Sequence, residues 1–150
     1  ELARSAAVTL PESFVLERKT EGAMSNIARG FFITAIGYGI LGMLLGLHMA
    51  MTNDHGQRPT HAHILVIGWV SFFLFGMFYL HFGKMVSRTL ARVHFWMAEV
   101  ALAGIVVGLW LIYGGKTQYE PIAAVSAITY ALSFVVFAVV AIPALQAQTE

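Results

Sequence analysis

The sequence predicts an all-α integral membrane protein, a four-helix bundle with both termini on the cytoplasmic side. Three observations carry that prediction. Of the 150 residues, 58% are hydrophobic and 11% charged, with mean hydropathy +0.73, far from the balance of about 25% charged found in soluble domains. The apolar residues fall into four windows, 31–51, 62–82, 93–113 and 121–143, each long enough as a helix to cross about 30 Å of hydrocarbon. Lys and Arg near the window ends are unequally shared. Arg18, Lys19, Arg29, Lys84, Arg88 and Arg92 stand on one side against Arg58 and Lys116 on the other, which places the first group, and both termini, inside.

In chain order, residues 1–29 form a cytoplasmic or interfacial segment. Glu1, Glu12, Glu17 and Glu21 balance Arg4, Arg18, Lys19 and Arg29 there, with no apolar run long enough for a signal peptide. The membrane domain covers 30–145, followed by a tail at 146–150. Helix 1 carries a stripe of small residues, Ala35, Gly39, Gly42 and Gly46, and helix 3 has Ala101, Gly104 and Gly108. Helix 4 has Ala127, Ala131 and Ala138. Such stripes let helices approach closely, and they equally leave room for a flat macrocycle. The outer loop 52–59 joins helices 1 and 2, the inner segment 83–88 joins 2 and 3, and the outer segment 114–120 joins 3 and 4. Trp110, Tyr113 and Tyr119 at the outer face, with Tyr79 and Trp96 at the inner, read as interface anchors.

Several classes of function drop out. A formal net charge of +1 without a basic run gives no footprint for nucleic acid. Without cysteine there is no thiolate, disulfide, iron–sulfur cluster or covalent c-type heme. No P-loop, GxSxG or HExxH motif occurs, and no carboxylate pair suggests hydrolysis.

What remains is imidazole and thioether. Four of the six histidines share one face of the membrane: His48 near the end of helix 1, His55 in the outer loop, and His61 and His63 at the start of helix 2. Ionisable side chains at or inside hydrocarbon are costly, and so count as candidate functional groups. Two residues apart on a helix, His61 and His63 point about 200° from each other, so one faces inward. The His61 stripe continues through Leu65, Gly68, Phe72 and Gly76 to Tyr79, where Gly68 admits a planar ring. The His63 stripe of Ile67, Val70, Leu74, Met77 and His81 reads as packing. His61 is therefore favoured as the inward ligand, with His63 the alternative. His48 lies at matching depth on helix 1, and two imidazoles from facing helices are a usual way to hold a b-type heme in a bundle. Copper is the competing metal, because Met49 and Met51 flank His48 and soft thioethers suit Cu(I).

On the inner side, His94 opens helix 3, and Glu99 is the sole acidic residue inside a window. An unpartnered carboxylate at that depth must find a hydrogen bond or handle a proton. Ser133, Thr129 and Tyr130 on helix 4 are its expected partners, and Glu99 and His94 are candidates for proton handling.

The run Gly56-Gln57-Arg58-Pro59-Thr60-His61-Ala62-His63, followed by Ile64 to Gly68, resembles the second helix of subunit I of the heme-copper oxidases, particularly the C-family oxidases and nitric oxide reductases. Arg92-Val93-His94-Phe95-Trp96-Met97 is similar to the opening of their third helix. The likeness covers about residues 30–143, the first four helices of a subunit that has twelve or more. It implies that His61 is an axial ligand of a low-spin heme. The second ligand and the binuclear centre belong to later helices, so the reducing chemistry does not carry over.

The leading expectation is thus a b-heme-binding electron-transfer subunit of a respiratory complex, not catalytic alone. His61 and His48 ligate iron, and Arg58 pairs with a propionate. Its expected surroundings are a bacterial inner membrane, other membrane subunits or further copies of the chain, and a periplasmic electron-transfer protein. A cofactor-free accessory subunit and a copper-handling protein using His48, Met49, Met51, His55, His61 and His63 are the alternatives.

Overall fold

A computed structural model describes residues 11–147. Of the expected terminal segments, residues 1–10 and 148–150 lie outside this range. Four helical spans are long and apolar enough to cross a membrane: Asn26–Thr52, Arg58–Met85, Arg88–Tyr113 and Thr117–Gln146. They include the four apolar windows and reach beyond most of their ends, because polar residues close to the interface can continue a helix whose backbone is already paired. An even number of crossings puts the two ends of the set on the same side.

Helix α1 (Glu12–Thr52) begins ahead of the first span and ends on Asn53 in the left-handed conformation, φ 55°, a residue type that tolerates this C-terminal geometry. The second span is composite: α2 (Arg58–His63), a π-helical stretch Ile64–Ser71, and α3 (Phe72–Phe82). Pro59 near the start of α2 lacks only an N–H that the first turn leaves free. In the π stretch the Ser71 hydroxyl donates to the Val66 carbonyl at 3.0 Å. A tight turn, Gly83–Met85, leads to Ser87, whose hydroxyl accepts from the Leu90 N–H. This cap starts α4 (Arg88–Tyr113) five residues before the apolar window opens. Gly115, at φ 86°, turns the chain at the outer end of α4. Helix α5 (Glu120–Gln146) completes the bundle, with Pro143 in its last turn.

α1 packs along the second span and α4 along α5. Small residues sit at both seams. A Cβ placed on Gly108 would lie 2.8–2.9 Å from Ala123, backbone included, so α4 and α5 approach nearly to backbone contact there. The pairs join through an aromatic core in the half of the bundle nearer the Gly83–Met85 turn, where Phe31 of α1 and Phe75 and Tyr79 of α3 surround His94 of α4, with Phe137 of α5 closing the cluster. Large aliphatic residues such as Leu44, Val66, Leu74, Val100, Val125 and Ile128 are exposed on the outside, as a lipid-facing surface requires. Tyr79 departs from its expected interfacial place. It is 1% exposed, deep in the core, because its hydroxyl finds a partner there. Trp96 is exposed on the surface of the bundle.

Candidate functional site

The α1 glycine stripe faces the second span, and its notches are filled by protein. A Cβ on Gly46 would lie 2.8 Å from His61 Cε1; one on Gly42 would strike Leu65 and Ile64; and one on Gly39 would press on the Trp69 ring. In return, α1 fills the notches of the second span. Tyr38 covers Gly68, where an added Cβ would be 2.7 Å from the ring, and Phe32 covers Gly76. The stripe from His61 to Tyr79 is inward-facing as expected, but Tyr38, rather than a planar cofactor, occupies the Gly68 seat.

His61 is wedged into this seam. Its Nδ1 lies 2.9 Å from the Gly42 carbonyl on the facing helix. A carbonyl only accepts, so Nδ1 carries a proton, and in the neutral ring Nε2 then holds the lone pair. His63 is set in the same tautomer by the Pro59 carbonyl at 2.8 Å. Its imidazole turns the other way. With Ile67 it lines a crevice of about 540 Å³ between the second span, α4 and α5, walled by Ile105, Leu109 and the alanine face Ala124, Ala127 and Ala131, with Tyr113 and Glu120 at the outer end.

His48 belongs to a different space. It lines an apolar crevice of about 580 Å³ between α1 and α4 with Leu41, Leu44, Val107 and Trp110. The expected His48–His61 sandwich is not formed, because His48 follows Gly46 by two residues. That spacing points it about 200° away from the notch that holds His61. The copper set is dispersed for the same kind of reason. Met49 is buried with Leu45 and Ile64, Met51 is 75% exposed, and the His55 Nδ1 is taken by the Asn53 carbonyl. Among the described residues no group of three or more His, Cys, Asp or Glu side chains converges to hold a metal ion. Arg58 is exposed at the aqueous end of α2.

The outer loop is tied down by contacts that no motif announced. Gln57 donates to the Trp110 carbonyl at 3.2 Å and accepts from the buried Thr60 hydroxyl at 2.7 Å, fixing the head of α2 against α4. Glu99 finds its hydrogen bond on α1 rather than α5. The Tyr38 hydroxyl donates to Oε1 at 3.3 Å, while Oε2 is buried without a partner. His94 is fully buried and paired with Tyr79. Both polar pairs bridge α4 to the α1–second span half, a long-range arrangement that spacing along one helix cannot reveal.

Against known proteins, a 90-residue stretch is 42% identical to Cytochrome c oxidase polypeptide 1 of Halobacterium salinarum, covering 53% of this chain and 15% of that protein. The chain therefore corresponds to a small fraction of that relative's length. No protein-family model matches the chain, and no solved structure matches it significantly. The likeness supports a partial relation to oxidase subunit I. Together with four apolar spans, it fits a multi-pass membrane subunit.

Proposed function

We propose that the chain is an electron-transfer membrane subunit of the oxidase subunit I type that holds one b-type heme in the crevice between the second span and α5, with His63 as its axial imidazole. One arrangement supports this reading above all. His63, its Nδ1–H already committed to Pro59, lines an apolar crevice of about 540 Å³ faced by the small side chains of α5. That volume lies within the ordinary range for cofactor and ligand pockets. A histidine whose other nitrogen is held by a carbonyl is oriented as metal-binding imidazoles are. The π-helical stretch immediately below is a feature that recurs at functional sites.

When bound, the heme supplies one-electron iron chemistry. The chain's own residues set its surroundings. Ala124, Ala127 and Ala131 leave space for a flat ring, and Ile67, Ile105 and Leu109 exclude water. Arg58, exposed at the start of α2, would be the cation to pair with a propionate. The described lining residues of this crevice include no second imidazole and no thioether, and a second iron ligand, were one taken, would have to be supplied by another subunit or another copy of the chain. The Lys and Arg asymmetry supports a reading in which this end of the bundle faces the periplasm of a bacterial inner membrane and meets a periplasmic electron-transfer protein.

The motif likeness points to His61 and the crevice to His63, and two substitutions separate them. In purified protein made with ample heme, His63→Ala is expected to lose the b-type absorption bands while His61→Ala keeps them. The opposite pattern overturns the His63 assignment. A second reading, a cofactor-free accessory subunit, is favoured by the filling of Gly42, Gly46, Gly68 and Gly76 by side chains. It requires no visible absorption at all.

A further inference from the structure

The half of the bundle nearer the Gly83–Met85 turn holds a buried phenol–imidazole pair that the heme reading does not use. The Tyr79 hydroxyl is 2.9 Å from His94 Nδ1, and His94 Nε2 is buried with no hydrogen-bond partner. The direction of the shared proton follows from counting partners. Were Nδ1 the donor, the phenolic hydrogen and the Nε2 lone pair would both be left unmatched. With Tyr79 donating, only the Nε2–H is, and an N–H can rest against a ring face. Rings enclose the imidazole: Phe75 at 4.6 Å between centroids and nearly perpendicular, Phe137 at 5.1 Å and Phe31 at 5.3 Å. The phenol thus points its proton at a neutral imidazole within transfer distance.

A line of aromatic rings connects this pair to the surface. Tyr79 stacks on Phe31 at 5.6 Å with planes 7° apart, Phe31 meets Phe95 edge-on at 4.9 Å, and Phe95 meets Trp96 at 5.3 Å. The Trp96 residue is 59% exposed. Tyrosine and tryptophan are the side chains most readily oxidised by one electron, and phenol oxidation becomes easier when a base takes the proton at the same time.

We propose that Tyr79 and His94 form a buried one-electron oxidation site, in which Tyr79 gives an electron by way of Trp96 to a high-potential one-electron oxidant at the protein surface while its phenolic proton passes to His94 Nδ1. One O–H bond breaks and one N–H bond forms. The products are a neutral phenoxyl radical, an imidazolium and the oxidant reduced by one electron. The aromatic enclosure keeps water from the radical and the proton beside it, so re-reduction returns both partners to their starting state. The site is independent of the heme crevice.

The test uses the full chain in detergent with the exposed Tyr113 and Tyr119 changed to Phe. It is oxidised by flash-generated ruthenium(III) tris-bipyridine and followed by electron paramagnetic resonance. A long-lived tyrosyl radical is expected, lost in Tyr79→Phe, formed more slowly in Trp96→Phe and shortened in His94→Gln. Labelling histidine with 15N in the chain that keeps Tyr79 and His94 is expected to alter the hyperfine pattern, a readout that needs no substitution in the pair. No radical in the folded chain, a radical that survives Tyr79→Phe, or a pattern indifferent to 15N-histidine overturns the proposal. An unchanged rate in Trp96→Phe overturns the route through that residue.

Discussion

Gly68→Ala separates the two uses of the glycine that faces α1. The added methyl would lie 2.7 Å from Tyr38 Cγ and 2.8 Å from Cβ, atoms at the root of the side chain that cannot swing aside without moving the ring. Overpacking of this kind costs about 1–3 kcal/mol. Displacing the ring also breaks the Tyr38–Glu99 hydrogen bond, a further loss of ~1 kcal/mol, while alanine gains roughly 1 kcal/mol of helix propensity over glycine. The net expectation is a loss of about 1–3 kcal/mol in denaturant unfolding in micelles. Adding Tyr38→Ala removes the clash, so the double variant is expected to be more stable than the sum of the single effects by about 0.5–3 kcal/mol. The visible spectrum, which reports on the separate His63 crevice, is expected to stay unchanged. If Gly68→Ala leaves stability intact and instead removes bound heme, Gly68 is a cofactor seat and the reasoning fails.

Four further outcomes follow from the same contacts. Gly46→Ala presses on His61 Cε1 and is expected to destabilise by ~1–2 kcal/mol. Gly37→Ala, with nothing within 4 Å of the added carbon, is expected to be neutral or to stabilise by up to about 1 kcal/mol in the same unfolding assay. Tyr38→Phe and Glu99→Gln remove two ends of one hydrogen bond, so their costs of ~1 kcal/mol each are expected to be strongly non-additive in a double-mutant cycle. Gln57→Ala frees the outer loop from the Trp110 carbonyl and the Thr60 hydroxyl, and faster amide hydrogen exchange confined to the loop and the first turn of α2 is the expected signature.

How much of this was legible in the sequence depends on the reach of the interaction. The four spans were readable because crossing hydrocarbon demands a run of apolar residues whatever the neighbours do. The inward face of the second span was readable from His61 through Gly68 and Phe72 to Tyr79, since glycine and aromatic residues recur there at helical spacing. Its occupant was not. Gly68 signals that something comes close, and only the packing shows Tyr38 in that place. Tyr79 reads as an interface residue because its partner, His94, arrives from the next helix. Glu99 has plausible hydroxyl partners on α5, and no local signal says that Tyr38 of α1 reaches it first. The π-helical stretch Ile64–Ser71 left no recognisable mark on an apolar sequence, yet it lies directly after the residues that aim His61 and His63 apart. Spacing gives His48 and His61 comparable positions along their helices, but not their directions, which depend on how α1 is rotated.

The proposal that this four-span chain carries a heme is tested most directly by a pyridine hemochrome spectrum with iron and copper stoichiometry on the purified, unmodified chain made with adequate heme supply. The account predicts a b-type hemochrome with iron equimolar to heme and no copper. A protein that is folded and helical but colourless, or one that carries copper in place of iron, contradicts it.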